Sequence, residues 1–259
     1  GRTGKPGMSW ESRLLGEQDA AASLPERIAA LFAQQRRRWT SLREGEAALA
    51  RLESRILADG EARVLVQANP GRRASTHARV DPDSVASRPC FLCPDNLPAA
   101  ERGIATGPFV VLCNPHPVLP LHCTIAHREH RPQRLGPHLD ELVRLARAMG
   151  SGMLAFYNGP RCGASAPDHL HFQACSSAGV PLLDELAVTP GHGVYTSFGR
   201  SMLVFSDPDA DRLTERIQTA LGALARITAE PDEPMCNLVA CQRGEHLLAV
   251  LFPRARPRP

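Results

Sequence analysis

The stretch Asp168-His169-Leu170-His171-Phe172-Gln173 decides how this chain is read. As a strand over residues 168–175 it alternates: His169, His171 and Gln173 point to one face, Leu170, Phe172 and Ala174 to the other. Three groups able to bind metal, contact phosphate or move protons then stand above an apolar underside. A half-exposed antiparallel strand with polar residues facing water would alternate in the same way. Two histidines among apolar neighbours favour a site.

Working outward, residues 158–167 form a loop containing Gly159, Pro160, Gly163 and Pro167, and 153–157 form a strand before it. Leu139, Leu142, Val143, Ala146 and Met149 recur at helical spacing over 137–149, with Gly150 as a stop. Apolar runs at 108–113 and 121–126 suit strands. On the other side, 194–205 reads as two short strands, followed by a helix from near Pro208 that presents Leu213, Ile217, Leu221 and Leu224 on one face. Strands at 236–242 and 246–252 flank Gln242-Arg243-Gly244-Glu245, a hairpin signal. Residues 25–57 read as helix with a break at Gly45. Ile28, Leu31, Phe32 and Gln35 share a face that Leu42, Leu49, Leu52 and Ile56 continue. A strand at 61–68 and a polar, turn-rich segment at 69–89 follow. This order predicts an α+β fold built on an antiparallel sheet with flanking helices. Two units are expected, a helical extension at 1–58 and a sheet domain at 59–259.

Composition narrows the chemistry. The 259 residues are 43% apolar and 22% charged, which excludes disordered and fibrous classes. A net charge of +3 is too small to call for a nucleic-acid or acidic-membrane partner. Lys5 is the only lysine, so Schiff-base and phosphate-loop lysine chemistry are excluded from the body of the chain. No apolar run is long enough to span a bilayer, and the N-terminus lacks a signal-like apolar core. The eight cysteines need not be staples in a chain of this length, and several lie in apolar runs such as Val110-Val111-Leu112-Cys113. A reducing cytoplasm is the expected compartment.

Cys90-Phe91-Leu92-Cys93 is the second informative stretch. A Cys-x-x-Cys turn places two thiolates on one tetrahedral metal and leaves two positions for other ligands. No second Cys-x-x-Cys exists, so histidines would have to fill them. Two core cysteines or a redox pair share this spacing.

His169-Leu170-His171-Phe172-Gln173, preceded by Gly163-Ala164-Ser165-Ala166-Pro167, resembles the active-site motif of the histidine-triad superfamily in its transferase branch. That branch includes galactose-1-phosphate uridylyltransferase, the diadenosine tetraphosphate phosphorylases and the GDP-hexose phosphorylases. Residues 168–174 are similar to the GDP-hexose phosphorylase string, whereas the Cys90–Cys93 turn with Asn96 resembles the zinc-binding start of the uridylyltransferases. The overall order resembles a group of uncharacterised bacterial nucleotidyltransferase-like proteins. There, a segment like Gln67-Ala68-Asn69-Pro70 precedes the Cys pair and one like Phe252-Pro253-Arg254 closes the chain. The resemblance covers residues 60–259.

The resemblance implies that His171 is the nucleophile, attacking the α-phosphorus of a nucleotide to give a covalent nucleotidyl-histidine. Gln173 stands where the hydrolase branch has a third histidine. Its amide can hydrogen-bond a phosphate oxygen but cannot protonate a leaving group, which favours transfer over hydrolysis. His169 is implied as a zinc ligand with Cys90, Cys93 and one further histidine; alignment on Gln133 and Leu135 selects His130, with His127 as competitor. Such a closed Cys₂His₂ site is structural. Asn114 is implied to hold ribose hydroxyls, although a turn residue before Pro115 would look the same. Gly163 and Ser165 are implied contacts to phosphate oxygens, and Arg72, Arg73 and Arg254 are candidate clamps for polyphosphate or incoming phosphate. The expectation is a cytoplasmic nucleotidyltransferase or phosphorylase acting on a nucleoside diphosphate sugar or a dinucleoside polyphosphate. Phosphate or a sugar phosphate is the acceptor, neither nucleic acid nor membrane is a partner, and homodimer formation is left open. Its rivals are a histidine-triad-type hydrolase of nucleotide conjugates and a zinc-stabilised nucleotide-binding module without catalysis.

Overall fold

Strands with one apolar face must bury it under helices, and this chain does so on a large scale. The computed structural model describes residues 8–16, 21–60, 62–68, 80–186, 190–197 and 199–255. Helices α1 (Leu24–Arg38) and α2 (Thr40–Ala50) precede a hairpin of β1 (Ser54–Asp59) and β2 (Ala62–Gln67), then the short α3 (Pro82–Ser87). Next come β3 (Gly103–Thr106), β4 (Phe109–Cys113), β5 (Cys123–His127), α4 (Leu139–Ala148), β6 (Met153–Asn158) and β7 (His171–Ser176). The chain continues through α5 (Pro181–Glu185), β8 (Gly191–Ser197), β9 (Arg200–Asp207), α6 (Ala210–Thr228), β10 (Cys236–Arg243) and β11 (His246–Pro253). Nine strands form one sheet in the order β3-β4-β5-β7-β6-β10-β11-β9-β8. Every pairing in it is antiparallel. The expected α+β class, with an antiparallel sheet and flanking helices, is the architecture found.

One face of the sheet is the main core. Phe172 and Ala174 of β7, Tyr157 of β6, Leu238 of β10 and Ala249 of β11 meet Leu139, Leu142 and Val143 of α4 and Leu213 and Ile217 of α6. Each such leucine contributes about 1.5–3 kcal/mol on full burial. Leu24, Ile28, Leu31 and Phe32 of α1 and Leu42 of α2 enter the same cluster, so these helices share the core of the sheet. The opposite face carries His171 and Gln173, between two smaller apolar clusters: one around Trp10, Cys90, Leu112 and Ala126, the other around Leu154, Cys175, Leu183 and Leu248.

Three local expectations are corrected. The helical stretch breaks at Trp39, which takes an extended conformation with φ −122° and buries its ring, and not at Gly45. Gly45 stays helical because the absent side chain admits the carbonyl of Pro115: a Cβ there would lie 2.0 Å from it. The helix also stops at Ala50; Ile56, expected on its apolar face, sits in β1 opposite Leu65 and is exposed. The third correction concerns the signature stretch, where the strand begins at His171 and not at residue 168. Among the described residues, no helix is long and apolar enough to cross a membrane.

Candidate active site and metal centre

Pro167 lacks an N–H, and the chain around it turns rather than pairing: His169 N–H donates to the Ala166 carbonyl at 3.2 Å. The two motif histidines therefore take different surroundings. His171 stays on the sheet face, level with Ala126 of β5, and is 3% exposed. His169 is fully buried and turns towards the Cys90–Cys93 loop.

The His171 ring has a defined proton position. Its Nδ1 lies 2.8 Å from the His169 carbonyl oxygen, which can only accept, so Nδ1 carries the hydrogen. The lone pair of the neutral ring is then on Nε2. Burial holds this imidazole below the usual histidine value. Its backbone is clamped by Gln133, a buried side chain whose Oε1 accepts from His171 N–H at 2.8 Å and whose Nε2 donates to the His171 carbonyl at 2.9 Å. The same Nε2 donates to the Asn158 carbonyl at 3.0 Å, tying β6 to β7 beside the ring.

Gln173, the next residue on this face, pairs across to Thr124 and Phe156. His122 fixes its amide. Val118 N–H donates to His122 Nδ1 at 3.2 Å, which leaves the ring hydrogen on Nε2, 2.9 Å from Gln173 Oε1. The carbonyl of Gln173 is thus occupied, and the amide group it can offer a ligand is the NH₂ donor.

The remaining expected contacts fall around these two residues unevenly. Asn114 follows β4, where its Oδ1 accepts from His116 N–H at 2.9 Å and its Nδ2 donates to Thr124 Oγ1 at 3.3 Å. It is a turn residue in this structure, bonded to the neighbour of Gln173. Gly163 has φ +105°, a conformation that favours glycine, in the loop ahead of the motif. Ser165 lies in the same loop, its carbonyl accepting from Arg88 at 2.9 Å. Arg254 follows β11 and bonds through its N–H to the Met235 carbonyl. Its guanidinium pulls the Cys162 thiol of that loop downward, against a larger upward push from burial. Arg72 and Arg73 lie outside the described residues.

Sequence reasoning passed over several site residues. Asn237 of β10 donates through Nδ2 to Asn158 Oδ1 and to the Cys162 carbonyl, both at 2.8 Å, joining the loop to the sheet. A polar residue alternating with the apolar Cys236 and Leu238 is the signal that could have found it. Gly159 packs so closely that a Cβ would come within 2.9 Å of the Cys236 carbonyl. His122 carries no local signature, and Gln133 enters the motif resemblance only as a landmark, since the roles of both depend on pairings across the fold.

Cys90, Cys93, His130 and His169 come together, their ligand atoms all within 4.8 Å of one another. Cys90 Sγ is 3.2 Å and Cys93 Sγ 3.7 Å from His169 Nδ1, and Cys93 Sγ is 3.4 Å from His130 Nδ1. Zinc–sulfur and zinc–nitrogen bond lengths give a tetrahedral sulfur–nitrogen edge of about 3.5 Å, so the donor set fits that ion. The outer atoms fit too. His169 Nε2 is 2.8 Å from the His127 carbonyl and His130 Nε2 is 3.6 Å from the Asp168 carboxylate, the carbonyl- and carboxylate-backed arrangement of metal-binding histidines. Asp168 Oδ1 is buried without a hydrogen-bond partner, though Arg88 stands 3.7 Å away. A buried carboxylate oxygen without a hydrogen bond is costly, and a nearby dication would add to what Arg88 offsets. His127, the competing ligand, turns away: its Nδ1 accepts from Glu129 N–H at 3.0 Å and its ring packs edge-on against Phe109.

Comparisons with known proteins bear on the family and on the fold. A family model described as a domain of unknown function, DUF4922, matches residues 31–176. The structure is similar to that of yeast Ap4A phosphorylase Apa2, at 20% identity over 90% of this chain and 79% of that chain with a TM-score of 0.53. Against the same yeast enzyme in complex with Ap4A the TM-score is 0.57, at 18% identity over 90% of this chain and 81% of that chain. Against its complex with AMP the TM-score is 0.53, at 17% identity over 88% and 80%. No curated protein matches. The likeness is one of fold, and the expected antiparallel sheet with flanking helices is what this chain shares with those structures.

Proposed function

This chain belongs to the DUF4922 family, and from the site built on its sheet we propose that it is a nucleotidyltransferase of the phosphorylase type. The observation that carries the proposal is the paired arrangement of His171 and Gln173: one ring with its lone pair on Nε2, one amide held as a donor. His171 Nε2 forms a bond to the α-phosphorus of a nucleotide as the bond to the bridging oxygen breaks, and the leaving sugar phosphate or nucleoside polyphosphate departs with that electron pair. Gln173 donates to a non-bridging oxygen where charge develops. A neutral amide has no proton to give the leaving group, so leaving groups that are already stable anions are favoured. Inorganic phosphate then attacks the phosphoramidate, forming a nucleoside diphosphate and restoring the neutral ring. Substrates are a nucleoside diphosphate sugar or a dinucleoside polyphosphate; Arg254, beside the loop of Gly163 and Ser165, binds the incoming dianion. Cys90, Cys93, His130 and His169 hold a structural zinc, which when bound ties the Cys loop to the turn preceding His171. The free thiols, none of them in a disulfide, suit a reducing cytoplasm.

Intact mass after incubation with a panel of nucleotide donors tests the reading. The wild type should gain one nucleotidyl mass, acid-labile and base-stable, and His171→Ala should gain none while keeping its zinc. An adduct that persists in His171→Ala overturns the mechanism. Steady turnover without phosphate makes the protein a hydrolase, and binding without any adduct makes it a nucleotide-binding module.

A further inference from the structure

Besides the turn that bears His169, two loops from separate parts of the chain bring ligands to the metal centre, residues 88–98 and 127–131. A third segment, residues 10–15, touches both. Its single turn, Trp10–Arg13, lies outside the residues matched by the family model. Arg13 is 4% exposed, and its guanidinium spends its donors on one loop: Nε to the Pro94 carbonyl at 3.0 Å, Nη1 to Pro98 at 2.9 Å and Nη2 to Leu97 at 2.9 Å. The first of these carbonyls is that of the residue after Cys93. Trp10 serves the other loop, its Nε1 donating at 2.8 Å to the carbonyl of Arg128, two residues before His130. The Trp10 ring also belongs to the apolar cluster that contains Cys90, Leu92, Leu97 and Ala166, with Cys93 packed against it. Leu14 bridges to Gly103, and Leu15 N–H donates to the Gly103 carbonyl at 2.9 Å, so the segment is anchored on β3.

We propose that residues 10–15 form a strap that preorganises the metal centre, with Arg13 and Trp10 as its positioning residues. This rests on the reading of Cys90, Cys93, His130 and His169 as a zinc site. The chain just after this loop supplies a backbone donor to the Pro98 carbonyl, from Glu101 N–H at 3.0 Å, and a planar guanidinium can take all three carbonyls at fixed angles. With the carbonyls held, the two thiolates keep their separation before metal arrives; with the Arg128 carbonyl held, the His130 loop is kept in reach. Outer partners of this kind change metal affinity by about 10–100-fold when removed.

Zinc affinity and dissociation, measured by chelator competition on the full chain, test the strap together with melting temperatures of zinc-loaded and zinc-free protein. Arg13→Met should bind zinc about 10–100-fold more weakly and release it faster. Trp10→Phe keeps a ring in the cluster and loses only the indole N–H; it should show a smaller loss, and it decides the matter if Arg13→Met does not fold. In both variants the rise in melting temperature on adding zinc should shrink. A purely structural strap predicts otherwise: zinc-loaded and zinc-free melting temperatures fall in parallel and zinc affinity is unchanged, and that result overturns the proposal. A wild type that binds no zinc overturns the site reading itself, and the strap with it.

Discussion

At the scale of single residues, the site works through hydrogen atoms whose positions are forced. His122 accepts from a backbone N–H on one side, so it must donate to Gln173 on the other. Without that donor the Gln173 amide could rotate and turn its oxygen towards an anionic phosphate. His122→Phe should slow nucleotidyl labelling about tenfold, matching the loss of one hydrogen bond to a charged group at about 1.5 kcal/mol. The loss should fall on the labelling rate rather than on zinc content, and single-turnover labelling beside metal analysis measures both. Labelling at the wild-type rate would show that Gln173 needs no help in pointing.

At the scale of elements, α2 shows packing deciding against propensity. Alanine is about 1 kcal/mol better than glycine inside a helix. Yet a methyl group at residue 45 would meet the Pro115 carbonyl at 2.0 Å, and overpacking of that kind costs about 1–3 kcal/mol. Gly45→Ala should therefore lower the unfolding free energy, despite improving the local helix, and denaturant titration gives the sign. The same position explains why a break at Gly45 was the natural sequence reading: glycine signals a boundary, and only tertiary contact reveals a close approach. Elements with their own periodicity were legible, among them α4, α6 and the β10–β11 hairpin. So was the grouping of Cys90, Cys93, His130 and His169, through the motif resemblance. The start of β7 was not, because whether residues 168–170 alternate or turn depends on the partners Arg131 and His127 offer across the fold. Nor was β1, since Ile56 continues a helical pattern by spacing alone while its real partner lies across a hairpin.

At the scale of the whole molecule, stability should carry a pH dependence traceable to Glu101. This carboxyl is buried near the strap, and burial pushes it up to about 8, with Arg13 pulling in the opposite direction. In the unfolded chain it returns to an ordinary value near 4.5. Between these values the folded state holds a proton that the unfolded state releases. The stabilisation is therefore complete below the unfolded value and is lost as pH rises towards 8, at up to about 1.4 kcal/mol per pH unit. Glu101→Gln cannot ionise, so its melting temperature should gain on the wild type from pH 5 to pH 8 in thermal unfolding scans. Parallel curves would place the carboxyl in contact with water or a firmer partner.

The position of β7 has a consequence for motion. It lies fourth from one edge of the sheet and sixth from the other, hydrogen-bonded on both sides. Fraying begins at margins such as β8 or at the separate β1–β2 hairpin, and it does not reach a strand so placed. The backbone of His171 therefore opens to solvent only when the whole sheet does. On the reading proposed above, His171 meets every ligand from the same fixed position.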